Sequence, residues 1–308
     1  MERINNGAIL PERFRGGVAA LGNFDGFHAG HQAVVGRALA LARERQCPAL
    51  MVSFDPHPAR LFQPQLPPFA LTLVTQRLDL LAAFGIDAAV MIPFTRELAG
   101  LPADTFVEQW MVRRLGLSGV VTGGDFTFGK GRSGHVGELA TIGTAHGLAA
   151  EAIAPVSDAG GDPISSSRIR EALKAGDPPT ATALLTRPFT ITGVVEHGDK
   201  LGRTLDFPTA NISLGEYLRP AYGVYAVRAR LADGRRIDGV ANLGVRPMFD
   251  PPKELLEVYL FDFAEDLYGR NIAVELHHFL RPEWKLDGLD ALKAQIARDC
   301  DDARRALA

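Results

Sequence analysis

Short, almost continuously apolar runs punctuate the first half of the chain: Val18–Leu21, Ala49–Phe54, Ala88–Ile92 and Val120–Thr122. Between them lie amphipathic stretches at helical spacing, His31–Gln46, Thr75–Phe84, Ala103–Leu115 and Val136–His146. A strand that is apolar at every position is covered on both faces, and strands that alternate with helices pair in parallel. The pattern predicts a doubly wound, Rossmann-like α/β domain whose ligands bind beyond the carboxyl ends of its strands.

Past Pro178-Pro179 and Arg187-Pro188 the periodicity changes. Phe189–Val195, Val224–Leu231, Ile237–Asn242, Leu255–Phe263 and Ile272–Phe279 are rich in β-branched and aromatic residues, with turn residues such as Ala232-Asp233-Gly234 between them. Strands this close together, with no helix between, predict an antiparallel β-barrel. Leu286–Leu307 predicts one closing helix, with apolar positions at Leu289, Leu292, Ile296 and Ala297. The change of period places a domain boundary near 180–188, so the expected domains are residues 1–185 and 186–308.

With 308 residues the chain has room for two such cores. A composition 46% hydrophobic and 22% charged, with net charge −3, exerts no general attraction on nucleic acid. Cys47 and Cys300 form no CxxC pair, which argues against a disulfide framework and fits a reducing compartment. The first residues lack the apolar core of a signal peptide, and no stretch reaches the roughly 18 apolar residues of a membrane span. The expectation is a cytoplasmic protein without nucleic-acid or membrane partners, a monomer or weak homo-oligomer.

One segment after the first long strand concentrates chemistry: Gly22-Asn23-Phe24-Asp25-Gly26-Phe27-His28-Ala29-Gly30-His31. Its glycines permit close approach of backbone amides to a ligand, and the helix start beyond it is a place for anions. His28 and His31, three residues apart, can both address one phosphate and stabilise charge that grows during transfer. The same pair also fits a metal site completed by Asp25 or His57, or a polar turn with no ligand at all. Further on, Ser165, Ser166 and Ser167 form an N-cap cluster, with Arg168 and Arg170 inside the helix that follows. Phe126 and Phe128 flank a glycine-rich turn and suit either a flat ring or the core; Asp125 suits a ligand hydroxyl or the turn itself.

The second half has one comparable stretch, Gly193 to Asn211. Gly198, Lys200, Gly202 and Arg203 suit a loop folded over phosphates. Thr209 and Asn211, two apart, present oxygens to one side of an extended strand, and neutral oxygens suit Mg²⁺. A surface loop with a Pro-Thr turn explains the same residues without a ligand.

The first segment resembles the HxGH motif of nucleotidylyltransferases, in the Asn-Phe-Asp-Gly form typical of the FMN adenylyltransferase module of bacterial bifunctional FAD synthetases. Ser53-Phe54-Asp55-Pro56-His57-Pro58, Gly123–Arg132 and Ile164–Arg170 follow in that family's order, except that the family usually has Thr where this chain has Ser167. Gly198 to Asn211 resembles the riboflavin kinase signature, whose Pro-Thr-Ala-Asn binds Mg-ATP. Arg246-Pro247 and Arg281-Pro282-Glu283 match further segments, with Met248 where the family often has Thr.

The resemblance spans roughly residues 15–305. It implies ATP-dependent phosphorylation of riboflavin to FMN and adenylylation of FMN by ATP to FAD, both with Mg²⁺. It implies phosphate stabilisation by His28 and His31, and nucleotide or phosphate contacts at Gly22, Asn23, Asp25, Ser165, Ser166, Arg168, Arg170, Gly198, Lys200, Gly202 and Arg203. Flavin contacts fall on His57, Pro58, Asp125, Phe126 and Phe128, metal ligation on Thr209 and Asn211, and the catalytic base on Glu257. The alternative is a chain with one active domain and a flavin-binding scaffold or sensor beside it.

Overall fold

The computed structural model describes residues 1–4, 9–197, 207–246, 253–285 and 287–308. By backbone contacts these residues form two units, Met1–Pro67 with Thr72–Ser165, and Pro68–Leu71 with Ser166–Ala308.

The first unit is built on a six-stranded sheet in the order β1-β4-β3-β2-β5-β8, every neighbouring pair parallel. Its strands are β1 (Glu2–Ile4), β2 (Val18–Leu21), β3 (Ala49–Asp55), β4 (Ala88–Pro93), β5 (Gly119–Gly123) and β8 (Ala149–Ile153), while β6 (Thr127–Phe128) and β7 (Gly134–His135) pair with each other apart from it. The four apolar runs are the four central strands. Their alternate residues serve opposite faces: Val18, Ala20, Met51 and Val121 pack into one core, and Ala19, Leu21, Leu50 and Val120 into the other. The sequence pattern passed over β1 and β8 because they are edge strands, one only three residues long and the other half-exposed. Helices α1 (Ala29–Glu44), α3 (Val74–Phe84) and α6 (Val136–Ala145) lie close to their predicted spans. After the single turn α4 (Arg96–Ala99), the predicted helix Ala103–Leu115 begins as α5 (Ala103–Phe106) and continues in the wider π form over Val107–Arg114.

Strand order decides where the first unit can bind. From β2 the chain winds through β3 and β4 to one side, then crosses back to β5 and β8 on the other. Between β2 and β5 is the point where connections diverge, and there an open α/β sheet leaves a crevice at the carboxyl ends of its strands.

In the second unit α7 (Ser166–Lys174) and α8 (Pro178–Leu185) precede a closed barrel of six antiparallel strands in the order β10-β13-β12-β11-β14-β9. These are β9 (Phe189–Glu196), β10 (Ala210–Ser213), β11 (Gly223–Arg230), β12 (Arg236–Arg246), β13 (Lys253–Leu260) and β14 (Asn271–Pro282). The segment Pro68–Leu71 packs with this unit, Ala70 exchanging backbone hydrogen bonds with Glu216 and Leu218.

A last helix, α9 (Leu289–Leu307), covers part of the barrel. The predicted apolar positions of this helix need correction: Leu289 is 58% exposed and Ala297 is exposed too. The buried side instead carries Gln295, Asp299, Cys300 and Ala303, with Ile296 partly covered. Asp299 belongs there because it meets Arg281 of β14 in a two-bonded ion pair, at 2.8 and 2.6 Å, and accepts a third bond from Gln295. Among the described residues no helix is long and apolar enough to cross a membrane.

Candidate active sites

The turn after β2 is held in an unusual shape. Phe24, Gly26 and Phe27 have φ of 52°, 85° and 42°, a region that costs a non-glycine residue energy. Both phenyl rings are buried in the core, and that burial secures the strained backbone. Gly22 makes room: a Cβ there would lie 3.2 Å from the Phe24 ring. Its amide donates to Val52 O, which ties the turn to β3.

Asp25 is 3% exposed, and its Oδ1 accepts from the Thr72 amide and hydroxyl at 3.0 and 3.3 Å. Thr72 Oγ1 in turn accepts from Gly26 N. Asp25 and Thr72 therefore fasten the turn.

Sequence reasoning missed Arg77. This arginine of α3 is buried and donates from Nη1 to Asn23 O at 2.7 Å, while Ser53 Oγ donates to the same carbonyl. Burial holds its guanidinium below the ordinary value, partly offset by the charges of Asp25 and Asp55. A lone Arg on an apolar helix face reads as solvent-exposed in a sequence, and only the fold brings it under the turn. Asn23 Oδ1 is buried without a hydrogen-bond partner among the described residues, so this amide oxygen has unspent capacity at the site.

His28 caps α1, its Nδ1 accepting from His31 N at 3.4 Å. The two imidazoles stack with centroids 3.7 Å apart and planes 21° from parallel, and the Phe24 ring meets His31 edge-on at 5.4 Å. With Nδ1 accepting, a neutral His28 carries its proton on Nε2 and donates from there. Gly30 keeps this stack uncrowded: a Cβ there would fall 3.1 Å from the His28 ring and 3.5 Å from Ile164 O. The chain leading to Ser165 thus passes directly beside the histidines. Of the first amides of α1, that of His31 donates to His28 Nδ1 and that of Gln32 to His28 O, so His28 closes this end of the helix.

The neighbouring loops converge on the same edge. His57 caps the short helix α2 (Pro58–Phe62) just after β3, and Pro58 is its first residue. Asp125 is exposed and Phe126 half-buried in the turn after β5. Phe126 stacks on Phe128, but Phe128 is 7% exposed and packs against Phe106, so it is a core residue and not an open flavin platform. Because β3, β2 and β5 are adjacent, their loops share the carboxyl edge at the switch point. Ser166, Arg168 and Arg170 lie on α7 and pack with the second unit. Arg170 donates from Nε to Phe69 O and lies over the Phe69 ring.

In the barrel, strand register lines up three polar residues: Asn211 of β10 faces Glu257 of β13, which faces Asn242 of β12. Directly paired residues point to the same side, so the three form one row. The next row, Ile212, Leu256 and Leu243, points the other way and is fully buried. Arg246 donates to both oxygens of Glu257, Nε to Oε1 at 2.8 Å and Nη2 to Oε2 at 2.7 Å. Those bonds, above all, hold the guanidinium above its ordinary value. Its Nη1 reaches Glu283 Oε1 at 3.3 Å, which also accepts from Asn242 Nδ2. Asn211 Oδ1 and Asn242 Oδ1 are buried with no hydrogen-bond partner among the described residues. Gly198, Lys200, Gly202 and Arg203 lie outside the described residues.

The histidines at a helix start beside the switch point of the parallel sheet, and the barrel row of one carboxylate between two asparagines, are two separate polar clusters. Two family models and the curated relatives define the class, a transferase with two domains. An FAD synthetase family model matches residues 10–168 and a riboflavin kinase model matches residues 185–307. A bifunctional riboflavin kinase/FMN adenylyltransferase of Escherichia coli K12 is 40% identical over 96% of this chain and 94% of its own length. One from Pseudomonas fluorescens is 42% identical over the same shares. A solved structure titled macrolide-efflux protein, from Streptococcus pneumoniae, superposes over 99% of both chains with a TM-score of 0.88 at 29% identity. The chain belongs to the family of bifunctional riboflavin kinase/FMN adenylyltransferases.

Proposed function

We propose that the barrel unit phosphorylates riboflavin with ATP to give FMN, and that the α/β unit joins FMN to the adenylyl group of a second ATP, releasing pyrophosphate. The observation that carries the first site is the stacked His28–His31 pair at the start of α1, at the switch point of the sheet. In adenylyl transfer a phosphate oxygen of FMN attacks the α-phosphorus of ATP, and the bond to the pyrophosphate oxygen breaks. No protein nucleophile is needed. The histidines act as donors to charge developing on the transferred phosphoryl group, and the Asp25–Thr72 and Arg77–Asn23 bonds keep their loop in place beforehand. Asn23, with its unspent amide oxygen, is the proposed nucleotide contact, and the half-buried face of Phe126 with His57, Pro58 and Asp125 the proposed flavin side.

In the barrel Glu257 is the proposed base, taking the proton from the riboflavin hydroxyl that attacks the γ-phosphorus. Enzymes of these two families use ATP and typically a metal, and Mg²⁺ is the proposed ion. Asn211 Oδ1, buried with no hydrogen-bond partner among the described residues, and the Thr209 hydroxyl two residues before it fit a hard cation that takes neutral oxygens and keeps several waters. When bound it screens the triphosphate charge.

Incubation of the protein with riboflavin, ATP and Mg²⁺, followed by chromatographic separation, is expected to yield FMN and then FAD; folded protein yielding neither would overturn the reading. His28→Ala is expected to lower FAD formation from FMN by at least about 100-fold while sparing FMN formation, and Glu257→Gln to do the reverse. Loss of both steps from either single change, in folded protein, would refute the assignment of separate sites.

A further inference from the structure

Riboflavin carries the hydroxyl that is phosphorylated at one end of its ribityl chain and a flat ring system at the other. A site that takes the hydroxyl at Glu257 therefore needs a place for the ring some distance away, and a flat aromatic side chain suits it. The residues just past β14 supply one at that kind of remove. Glu283 Oε1 accepts from Asn242 Nδ2 at 3.2 Å and from Arg246 Nη1 at 3.3 Å, and Arg246 in turn is bonded to Glu257. The residue after Glu283 is Trp284. Its indole is thus joined to the polar row through bonded side chains without being part of it.

Trp284 is 54% exposed. A lone exposed apolar side chain is ordinary and says nothing by itself. What sets this one apart is its support. The Arg281 guanidinium lies over the indole, 4.6 Å from the ring centroid. Arg281 is itself held in place: Nε and Nη2 donate to Asp299 of α9 at 2.8 and 2.6 Å, and Nη1 to Pro282 O at 3.0 Å. Asp299 also accepts from Gln295, and the ion pair is nearly buried. An indole seated on a guanidinium that is tied to a buried carboxylate has little freedom left to lose when a ligand arrives, so the ordering cost of binding is small. With one face against a cation, the rest of the indole's surface favours a neutral flat ring over a second cation.

We propose that Trp284 is the platform on which the ring system of riboflavin stacks during phosphorylation, and that the Asp299–Arg281 pair is its pedestal. This rests on placing that reaction at the row of Asn211, Glu257 and Asn242. The ring takes no part in bond making, so the stack is the same in the bound substrate and in the transition state. It governs KM for riboflavin and not kcat.

The test is steady-state kinetics of riboflavin phosphorylation by the full chain, with FMN adenylylation and a thermal melt measured on the same preparations. Trp284→Ala is expected to raise KM for riboflavin about tenfold with kcat within about twofold of the starting protein, the pattern of lost uniform binding. Trp284→Leu keeps apolar bulk without a ring and is expected to show the same rise. Trp284→Phe keeps a ring and is expected to stay within about threefold. FMN adenylylation should be unchanged in all three. A second readout needs no turnover: riboflavin with ADP and Mg²⁺ is added, and the visible absorption band of the flavin is recorded. Stacking on an indole adds a long-wavelength shoulder to that band. The shoulder should be present in the starting protein and in Trp110→Phe, and absent from Trp284→Ala.

A KM within about twofold of the starting value in both Trp284→Ala and Trp284→Leu would overturn the proposal. So would a leucine variant with normal KM beside an impaired alanine variant, because a merely structural apolar plug predicts that result. A shoulder that persists in Trp284→Ala would overturn it as well. Glu257→Gln separates the two ideas. If it abolishes phosphorylation while Trp284→Ala leaves KM unchanged, only the platform falls. If Glu257→Gln still phosphorylates riboflavin at the starting rate, the placing of the reaction falls and this inference with it.

Discussion

Asp25→Ala takes the acceptor away from the buried Thr72 amide and hydroxyl, and a buried donor left unmet costs about 1–3 kcal/mol. Urea unfolding is expected to show a loss of that size for Asp25→Ala and a smaller one for Asp25→Asn, which keeps an oxygen at Oδ1. Equal losses would mean that the charge, and not the acceptor, holds the turn. A second expectation concerns Cys300, whose thiol is pushed up to about 11, first by burial. Raised above the ordinary value of about 8.5, it binds its proton more tightly when folded, so its contribution to stability is complete below about pH 8.5 and is lost as pH rises toward about 11. At pH 8 an alkylating reagent should therefore leave Cys300 unmodified in folded protein and label it after denaturation. Mass spectrometry of the Cys300 peptide reads this directly. At this scale the sequence was informative where residue type carries chemistry, as with His28 and His31. It was silent on which residues of the motif also hold the turn, as Asp25 does through Thr72 and Gly22 through Val52 O. Arg77 was invisible, since nothing in a single helix reports what lies beneath a loop some fifty residues earlier.

Among the elements, α9 shows how a polar contact sets the orientation of a helix. Asp299 and Arg281 are 5% and 13% exposed, and breaking a buried pair by removing one partner costs about 3–5 kcal/mol. Asp299→Ala is expected to lower stability by that order in chemical denaturation, whereas joint replacement of Arg281 and Asp299 by apolar residues of similar volume should cost far less. A single variant that unfolds with the starting midpoint would show that α9 is held by its apolar contacts alone. The apolar spacing of Leu289 and Ala297 pointed to the wrong side of this helix because an ion pair, which periodicity does not register, turns the buried side toward Asp299. The four central strands of the sheet were legible for the opposite reason: both faces are covered, so each position is apolar. Edge strands β1 and β8 and the short strand β10 carry no such signal, being short or half-exposed.

On the scale of the whole molecule, the two proposed reactions are joined by a shared compound, since FMN is the product of one unit and the substrate of the other. A mixture of His28→Ala and Glu257→Gln proteins is expected to regain FAD formation from riboflavin, after a lag while FMN accumulates. Absence of FAD in the mixture, with each variant retaining its intact half-reaction, would mean that FMN does not exchange through solution. The division into an α/β half and a β half could be read from periodicity. The grouping of α7, α8 and Pro68–Leu71 with the barrel could not, because it depends on contacts between residues about a hundred or more positions apart.

The closed barrel also limits how its sequence can drift. Every strand has a neighbour on both sides, so no edge is available to absorb a shift of register. Deleting one residue of β13 ahead of Glu257 would turn its carboxylate to the side now filled by Leu256 and bring Val258 between the two asparagines. Insertions and deletions in this family should therefore be confined to the connections between strands. A codon-by-codon deletion scan scored for riboflavin phosphorylation should find β13 and β12 intolerant, and the Ala232-Asp233-Gly234 turn permissive.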